Sequence, residues 1–393
     1  MSPATRLRLF YFAYYGSVGA YLPYFAPYLR GLGFSGEAIG TVQMVGPLLA
    51  VPVAVGWATA ADRLGAPARA LRLATAWALA AMIFLPFARA PLAVGLVLFA
   101  HGLADRAVVP LVDSVTVEWT GARPGPSYAG IRLFGSLGYI ALAQGVGLLL
   151  TARGDRGGDP LVPAAVLACV AAYALLARDL PSPPPARERP RFGEMVALLA
   201  DRPLLLLVAV SAVHWAACAP YHMMFGVRVR ELGMSAGVTG LGMSVGVGAE
   251  VLALLAYPRL EARLPLRAVL ALSFGTSALR WFLLSRATAA WEVVLLQTLH
   301  AFTFGLFWGA VVSALSRAVP SRLRATGQAL FAAVVFGLGN AVGYQLSGLG
   351  YDRLRGAGPL YAFASLFELV ALLLVLLVPL RAVAPGPPRA EAA

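Results

Sequence analysis

Apolar runs, each near the length a helix needs to cross a lipid bilayer, follow one another along almost the whole chain. A bilayer core of about 30 Å is crossed by about 20 helical residues. In lipid each backbone amide and carbonyl must find its partner inside the segment, so the runs are predicted to be helices and not irregular coil. Composition agrees: of 393 residues 60% are hydrophobic and only 12% charged, with a mean hydropathy of +0.76. A soluble domain carries about 25% charged residues. The fold class expected is all-α and integral to a membrane.

Twelve spans are predicted: 9–30, 37–59, 69–88, 91–117, 128–151, 160–178, 204–226, 236–257, 267–285, 291–315, 325–349 and 359–380. The first is long and aromatic and lacks a small-residue cleavage site, so it reads as a retained span and not a signal peptide. An even number of spans puts both termini on one side. Every one of the 31 basic residues is an arginine; nineteen fall in segments on the terminal side, nine on the other, and Arg106, Arg132 and Arg280 lie within spans. By the positive-inside rule both termini are cytoplasmic, and the net charge of +13 reflects topology, with no nucleic-acid partner implied. The two cysteines, Cys169 and Cys218, lie in apolar runs and suggest neither a disulfide framework nor a metal site.

The longest polar connection, RDLPSPPPARERPRFGEMVALLADRP from Arg178, has the proline cluster and mixed charge of a linker. It separates a six-helix bundle at 1–178 from a second at 204–393, with 179–203 as a cytoplasmic connection. The halves resemble each other. YLPYFAPYLRGLGFSGEAIGTVQMVG, from Tyr21, and YHMMFGVRVRELGMSAGVTGLGMSVG, from Tyr221, share nine of 26 positions, including Arg30 with Arg230 and Gly33 with Gly233. Duplication of a six-helix unit predicts two pseudo-symmetric bundles around a cavity.

A charge at the bilayer centre costs at least about 2.5 kcal/mol on insertion scales, so each needs a partner, a watery cavity or a function. In span 4, His101 and Asp105 are one turn apart and Arg106 shares a stripe with Asp113. The Arg106–Asp113 pair can be read as simple neutralisation; Arg132 on span 5 adds a charge that favours a cavity. Asp113 with Arg132 is the preferred substrate or gating pair, on a helix whose Gly135 and Gly138 permit close packing. Glu250, Arg280 and His300 fall on spans 8, 9 and 10, and an acid, a guanidinium and an imidazole together can change their charge pattern with proton occupancy. A static Glu250–Arg280 bridge is the alternative. Tyr14, Tyr15, Tyr21, His214, His222, Asn340, Gln345, Gln43 and Gln144 are further candidates to line a cavity. Glu368 is deep in span 12 with no obvious partner in the sequence.

The loop GWATAADRLGAPAR from Gly56 resembles the signature loop of the major facilitator superfamily, with Asp62, Arg63 and Gly65 matching. Ala58 stands where that family usually has glycine, and the basic pair is thinned to Arg69. The resemblance implies that Asp62, Arg63 and Gly65 stabilise a gate. PLVDS from Pro110, YAGIRLFGSLGY from Tyr128 and QTLHAFTFG from Gln297 resemble the phenylpropionate permease branch, related to lactose and nucleoside proton symporters. It implies sugar-type binding at Arg132 with a span 4 acid, and proton coupling through Glu250, Arg280 and His300. Thr303 replaces the acid that lactose-type permeases place one turn after the histidine. The proton role then falls to Glu250 or Asp113.

The reading is a secondary transporter working by alternating access as a monomer in the cytoplasmic membrane, with a small solute and protons as partners and no cofactor. Substrate-binding residues are expected at Asp113, Arg132, Tyr21, His222 and Asn340, and proton-coupling residues at Glu250, Arg280, His300 and Asp105. Two arginines favour an organic acid; proton symport of a sugar or nucleoside, or efflux of a drug or metabolite, are the alternatives. An integral-membrane enzyme or receptor is the reading from another class, but Ser136 lacks a nucleophile elbow and no HExxH or metal spacing is present.

Overall fold

The computed structural model describes residues 1–64, 67–121, 125–154, 157–181, 201–319 and 324–377. Twelve helical rods follow the twelve apolar runs. They are α1 (Pro3–Tyr21, continued as Phe25–Gly31), α2 (Gly36–Leu64), α3 (Pro67–Met82), α4 (Pro91–Gly121), α5 (Tyr128–Ala152) and α6 (Leu161–Ala177). Then come α7 (Arg202–Glu231), α8 (Ala236–Glu261), α9 (Leu266–Arg286), α10 (Ala290–Ala318), α11 (Arg324–Ala332 through Asn340–Leu354) and α12 (Ala357–Leu377). Among the described residues nine helices are long and apolar enough to cross a membrane. Most of the predicted linker, residues 182–200, lies outside the described residues.

Several rods carry internal prolines: Pro47 and Pro52 in α2, Pro110 in α4, Pro220 in α7. Packed neighbours can re-satisfy the carbonyl each proline frees, which is why such helices persist in membranes. Among the described residues two rods contain π-helical turns, Ala301–Leu306 in α10 and Ala333–Gly339 in α11. Such turns accommodate one extra residue and gather at functional sites.

The duplication is visible in individual hydrogen bonds. Gly33 N–H donates to the Arg30 carbonyl and Phe34 N–H to that of Leu29; 200 positions later Gly233 N–H donates to Arg230 and Met234 N–H to Val229. Both glycines have positive φ, 88° and 72°, the left-handed conformation that ends a helix in this pattern.

On α12 the exposed residues Phe363, Leu366, Leu369, Val370 and Leu373 make one apolar stripe. Leu360, Tyr361, Ala364, Glu368, Ala371 and Val375 are buried on the opposite side. A buried glutamate behind an exposed face of leucine, valine and phenylalanine inverts the arrangement of a soluble helix and marks a lipid-facing rod.

Contacts divide the chain into two compact units. The first comprises Met1–Arg187, Ala219–Ser244 and Asn340–Leu360; the second Glu188–Cys218, Val245–Gly339 and Tyr361–Ala393. Within the first, α1 and α5 touch through glycines: a Cβ on Gly138 would lie 2.1 Å from the Phe12 carbonyl oxygen, and one on Gly19 2.4 Å from that of Tyr139. The close packing expected at Gly138 is therefore backbone against backbone. Within the second, Trp215, Phe274, Phe307, Phe331, Val311 and Leu207 anchor a buried apolar core.

Candidate functional site

In the first unit the Asp113 carboxylate and the Arg132 guanidinium meet through tyrosines. Tyr11 Oη donates to Asp113 Oδ1 at 2.5 Å and approaches Thr116 Oγ1 at 3.2 Å. The Arg132 guanidinium donates to Tyr15 Oη and lies 4.0 Å from the Tyr15 ring centre and 5.5 Å from that of Tyr11. The acid and the base predicted to pair thus share one cluster, with Tyr11 between them. Tyr11→Phe removes the donor from a half-buried carboxylate, and a cost of about 1–3 kcal/mol is expected, read as a lower melting temperature of the detergent-solubilised chain.

Beside this cluster is a cavity of about 180 Å³ lined by Tyr14, Tyr21, Gln43, Arg106, Asn340 and Tyr344, with His101 and Asp105 in its wall. His101 Nε2 is 3.5 Å from Asp105 Oδ1, as their one-turn spacing suggested. Arg106 is exposed to this cavity and, among the described residues, makes no ion pair or hydrogen bond; the pairing with Asp113 considered from the sequence is not formed. Gly46 makes room for it, since a Cβ there would lie 2.6 Å from the Arg106 Nη2. Of the predicted binding residues, Tyr21 and Asn340 line this cavity, while His222 packs against Tyr221 with ring centres 5.7 Å apart and is not among its lining residues.

In the second unit Arg280, fully buried, is held by three neighbours on α10. Its Nη2 donates to Gln297 Oε1 at 2.6 Å, and Nη1 lies 3.2 Å from His300 Nδ1 and 3.3 Å from Thr303 Oγ1. His300 Nε2 is in turn 3.5 Å from Glu250 Oε2. The three residues expected on spans 8, 9 and 10 form one chain in the order Glu250, His300, Arg280. Asp105, grouped with them in the sequence reading, belongs to the first unit. Thr303, at the missing acid's position, is a hydrogen-bonding link: it also receives Ser277 Oγ at 3.1 Å.

A third cluster was not foreseen. Glu368, fully buried on α12, has Oε2 2.9 Å from His214 Nδ1, while Oε1 accepts from Trp281 Nε1 at 3.3 Å and from Cys218 Sγ at 3.5 Å. Its sequence signal was present: a carboxylate in the most apolar of the spans, mean hydropathy 2.5, requires partners. The gate residues Asp62, Arg63 and Gly65 fall outside the residues whose side chains are described.

Twelve rods with an apolar exterior, charged interior clusters and a polar cavity define a membrane transporter of small solutes. The profile of the MFS_1 like family matches residues 4–363, and the chain belongs to that family. It is 29% identical over 379 residues to the maltose permease of Geobacillus stearothermophilus, covering 95% of this chain and 94% of that one. It is 27% identical over 361 residues to the "Probable 3-phenylpropionic acid transporter" of Escherichia coli (strain K12), covering 91% and 93%. Its fold matches the crystal structure of the nucleoside transporter NupG with a TM-score of 0.83 at 17% identity, over 96% of this chain and 98% of that one. The chain is a secondary transporter of the major facilitator superfamily, integral to the membrane, and not an enzyme.

Proposed function

We propose that this chain carries a small organic acid, aromatic acids in particular, coupled to protons, across the cytoplasmic membrane. The observation that carries the reading is Arg106, which among the described residues makes no salt bridge or hydrogen bond and faces a cavity that also offers tyrosine rings and amides, with Asp105 as the nearby acid. A solute carboxylate binds Arg106 in bidentate form, and Tyr14, Tyr21 and Tyr344 flank its ring. Arg132 with Asp113 and Tyr11 forms the adjoining polar wall, and Asn340 supplies hydrogen bonds. Protons pass through the Glu250, His300 and Arg280 chain, with Asp105 and His101 as a second carboxylate–imidazole pair. The bundles 1–178 and 204–393 rock about the linker in a functional monomer with cytoplasmic termini, and Asp62, Arg63 and Gly65 act at a gate. A neutral sugar is the second reading, supported by the maltose permease relative and by the hydroxyl-binding character of Gln43, Asn340 and Asp105.

The test is uptake into proteoliposomes of 3-phenylpropionate, maltose and uridine, with and without an imposed proton gradient. Inward protons are expected to drive 3-phenylpropionate accumulation, and Arg132→Gln to raise its half-saturation concentration. Gradients of either sign that left every flux unchanged would remove proton coupling, and maltose transport alone would establish the sugar reading.

A further inference from the structure

The His214–Glu368 pair contains a proton that its own hydrogen bonds require. His214 Nε2 lies 3.1 Å from the main-chain carbonyl oxygen of Thr303. A carbonyl oxygen only accepts, so Nε2 carries the hydrogen. Nδ1 on the same ring is 2.9 Å from Glu368 Oε2, and between a ring nitrogen and a carboxyl oxygen at that distance one hydrogen must also lie. It sits on the nitrogen, giving imidazolium and carboxylate, or on the oxygen, giving neutral imidazole and carboxylic acid. In either form the pair holds one proton more than a neutral histidine with an ionised glutamate.

All of this takes place with both side chains fully buried. Phe274 and Phe307 flank the imidazole with ring centres at 4.6 and 4.5 Å. The other groups facing the carboxylate are the Cys218 thiol from α7 and the Trp281 indole N–H from α9. The Arg280 Nη1 touches the hydroxyl of the same Thr303 whose carbonyl meets His214. Thr303 lies in the π-helical turn of α10.

We infer that His214 and Glu368 form a proton-binding site whose occupancy is transmitted to α10 through the Thr303 carbonyl. When the shared proton leaves as H⁺, the Nδ1 lone pair would confront an ionised carboxylate at hydrogen-bond distance. The ring relieves this by moving its remaining hydrogen from Nε2 to Nδ1, which satisfies Glu368 and leaves the Thr303 carbonyl without its donor. No bond other than N–H or O–H changes, and the charge of the site falls by one. The site supplies a protonatable carboxylate to a chain in which Thr303 stands where an acid was looked for. Its role in transport rests on the proton-coupled reading above; its proton content does not.

The experiment follows the ring nitrogens by 15N NMR of the histidine-labelled chain in nanodiscs, where His214→Asn identifies the His214 signals among those of four histidines. Raising pH across about 5 to 10 should convert His214 from a ring protonated at Nε2 to the Nδ1–H tautomer. Glu368→Gln, which presents an amide N–H to Nδ1, should hold the ring neutral with Nε2–H throughout. A His214 pattern that does not change with pH, or that changes alike in wild type and Glu368→Gln, overturns the site. So does stoichiometric zinc in the purified wild type that Cys218→Ser removes, since a cation would then occupy the proton's place. In proteoliposomes, a gradient of about one pH unit drives about tenfold accumulation per coupled proton. Glu368→Gln should reduce the ratio of gradient-driven 3-phenylpropionate accumulation to 3-phenylpropionate exchange by about that factor. An unchanged ratio with an intact NMR titration overturns the transport role alone, whereas absence of gradient-driven flux in the wild type refutes the coupled reading and leaves the proton site standing.

Discussion

Arg106→Gln is expected to raise the half-saturation concentration for 3-phenylpropionate by about 30- to 100-fold, a loss of about 2–3 kcal/mol for one charge-assisted carboxylate contact. The size of the effect follows from geometry. Arg106 faces the cavity and, among the described residues, makes no salt bridge or hydrogen bond, so a bound carboxylate breaks no existing contact, while Asp105 nearby offsets part of its charge. Arg132 differs, because its guanidinium is already engaged by Tyr15 Oη and two tyrosine faces, and its replacement should cost less. Arg106→Lys should recover part of the affinity, since an ammonium keeps the charge and loses the planar fork. Maltose flux in the same vesicles separates the readings: a sugar has no charge to match, so equal losses for maltose and 3-phenylpropionate would sink the carboxylate assignment.

Gly138→Val should prevent the chain from folding, read as loss of the monodisperse peak in detergent and of protein in the membrane fraction. A Cβ at this position would sit 2.1 Å from the Phe12 carbonyl oxygen, 2.7 Å from its carbonyl carbon and 2.7 Å from its Cα. These are main-chain atoms of a helix, so no rotamer change relieves the overlap; α1 and α5 must move apart. Separation would also part Tyr11 and Tyr15 on α1 from Arg132 on α5 and break the cluster that links Asp113 to it. Overpacking of a side chain costs about 1–3 kcal/mol, and a clash of two backbones exceeds that range. Gly145→Val on the same helix is the control, because a Cβ there meets nothing within 4 Å. Equal loss of both variants would show that α5 tolerates no β-branched residue and that the Phe12 contact is not the reason.

The rods were legible in the sequence because lipid allows few alternatives to helix, and the hydropathy record is long and continuous. The position of each charge along its rod was legible for the same reason. Partners were less so. His101 with Asp105 could be read from a spacing of four, and Glu250, His300 and Arg280 from neighbouring spans. The union of His214 with Glu368 joins residues 154 positions apart, and neither span carries a pattern that names the other. Nor does spacing reveal that Tyr11 stands between Asp113 and Arg132, since an aromatic residue near a helix start reads equally well as an anchor, a packing residue or a ligand. Arg106 illustrates the converse: seven positions from Asp113 it could also be read as neutralised, but sharing a stripe does not bring two side chains into contact, and Gly46 leaves the guanidinium room at the cavity.

The π-helical turn of α10 sets a phase. One residue advances an α-helix by about 100°, so the extra residue held between Ala301 and Leu306 rotates everything beyond it by that angle relative to an unbroken helix. Gln297 and His300 before the turn point to Arg280, while Phe307, Ala310 and Val311 after it point into the apolar core. Were the turn to tighten into regular α-helix, these two sets could not both keep their faces. The extra residue in the turn is therefore what lets one helix serve both the buried Arg280 and the apolar core.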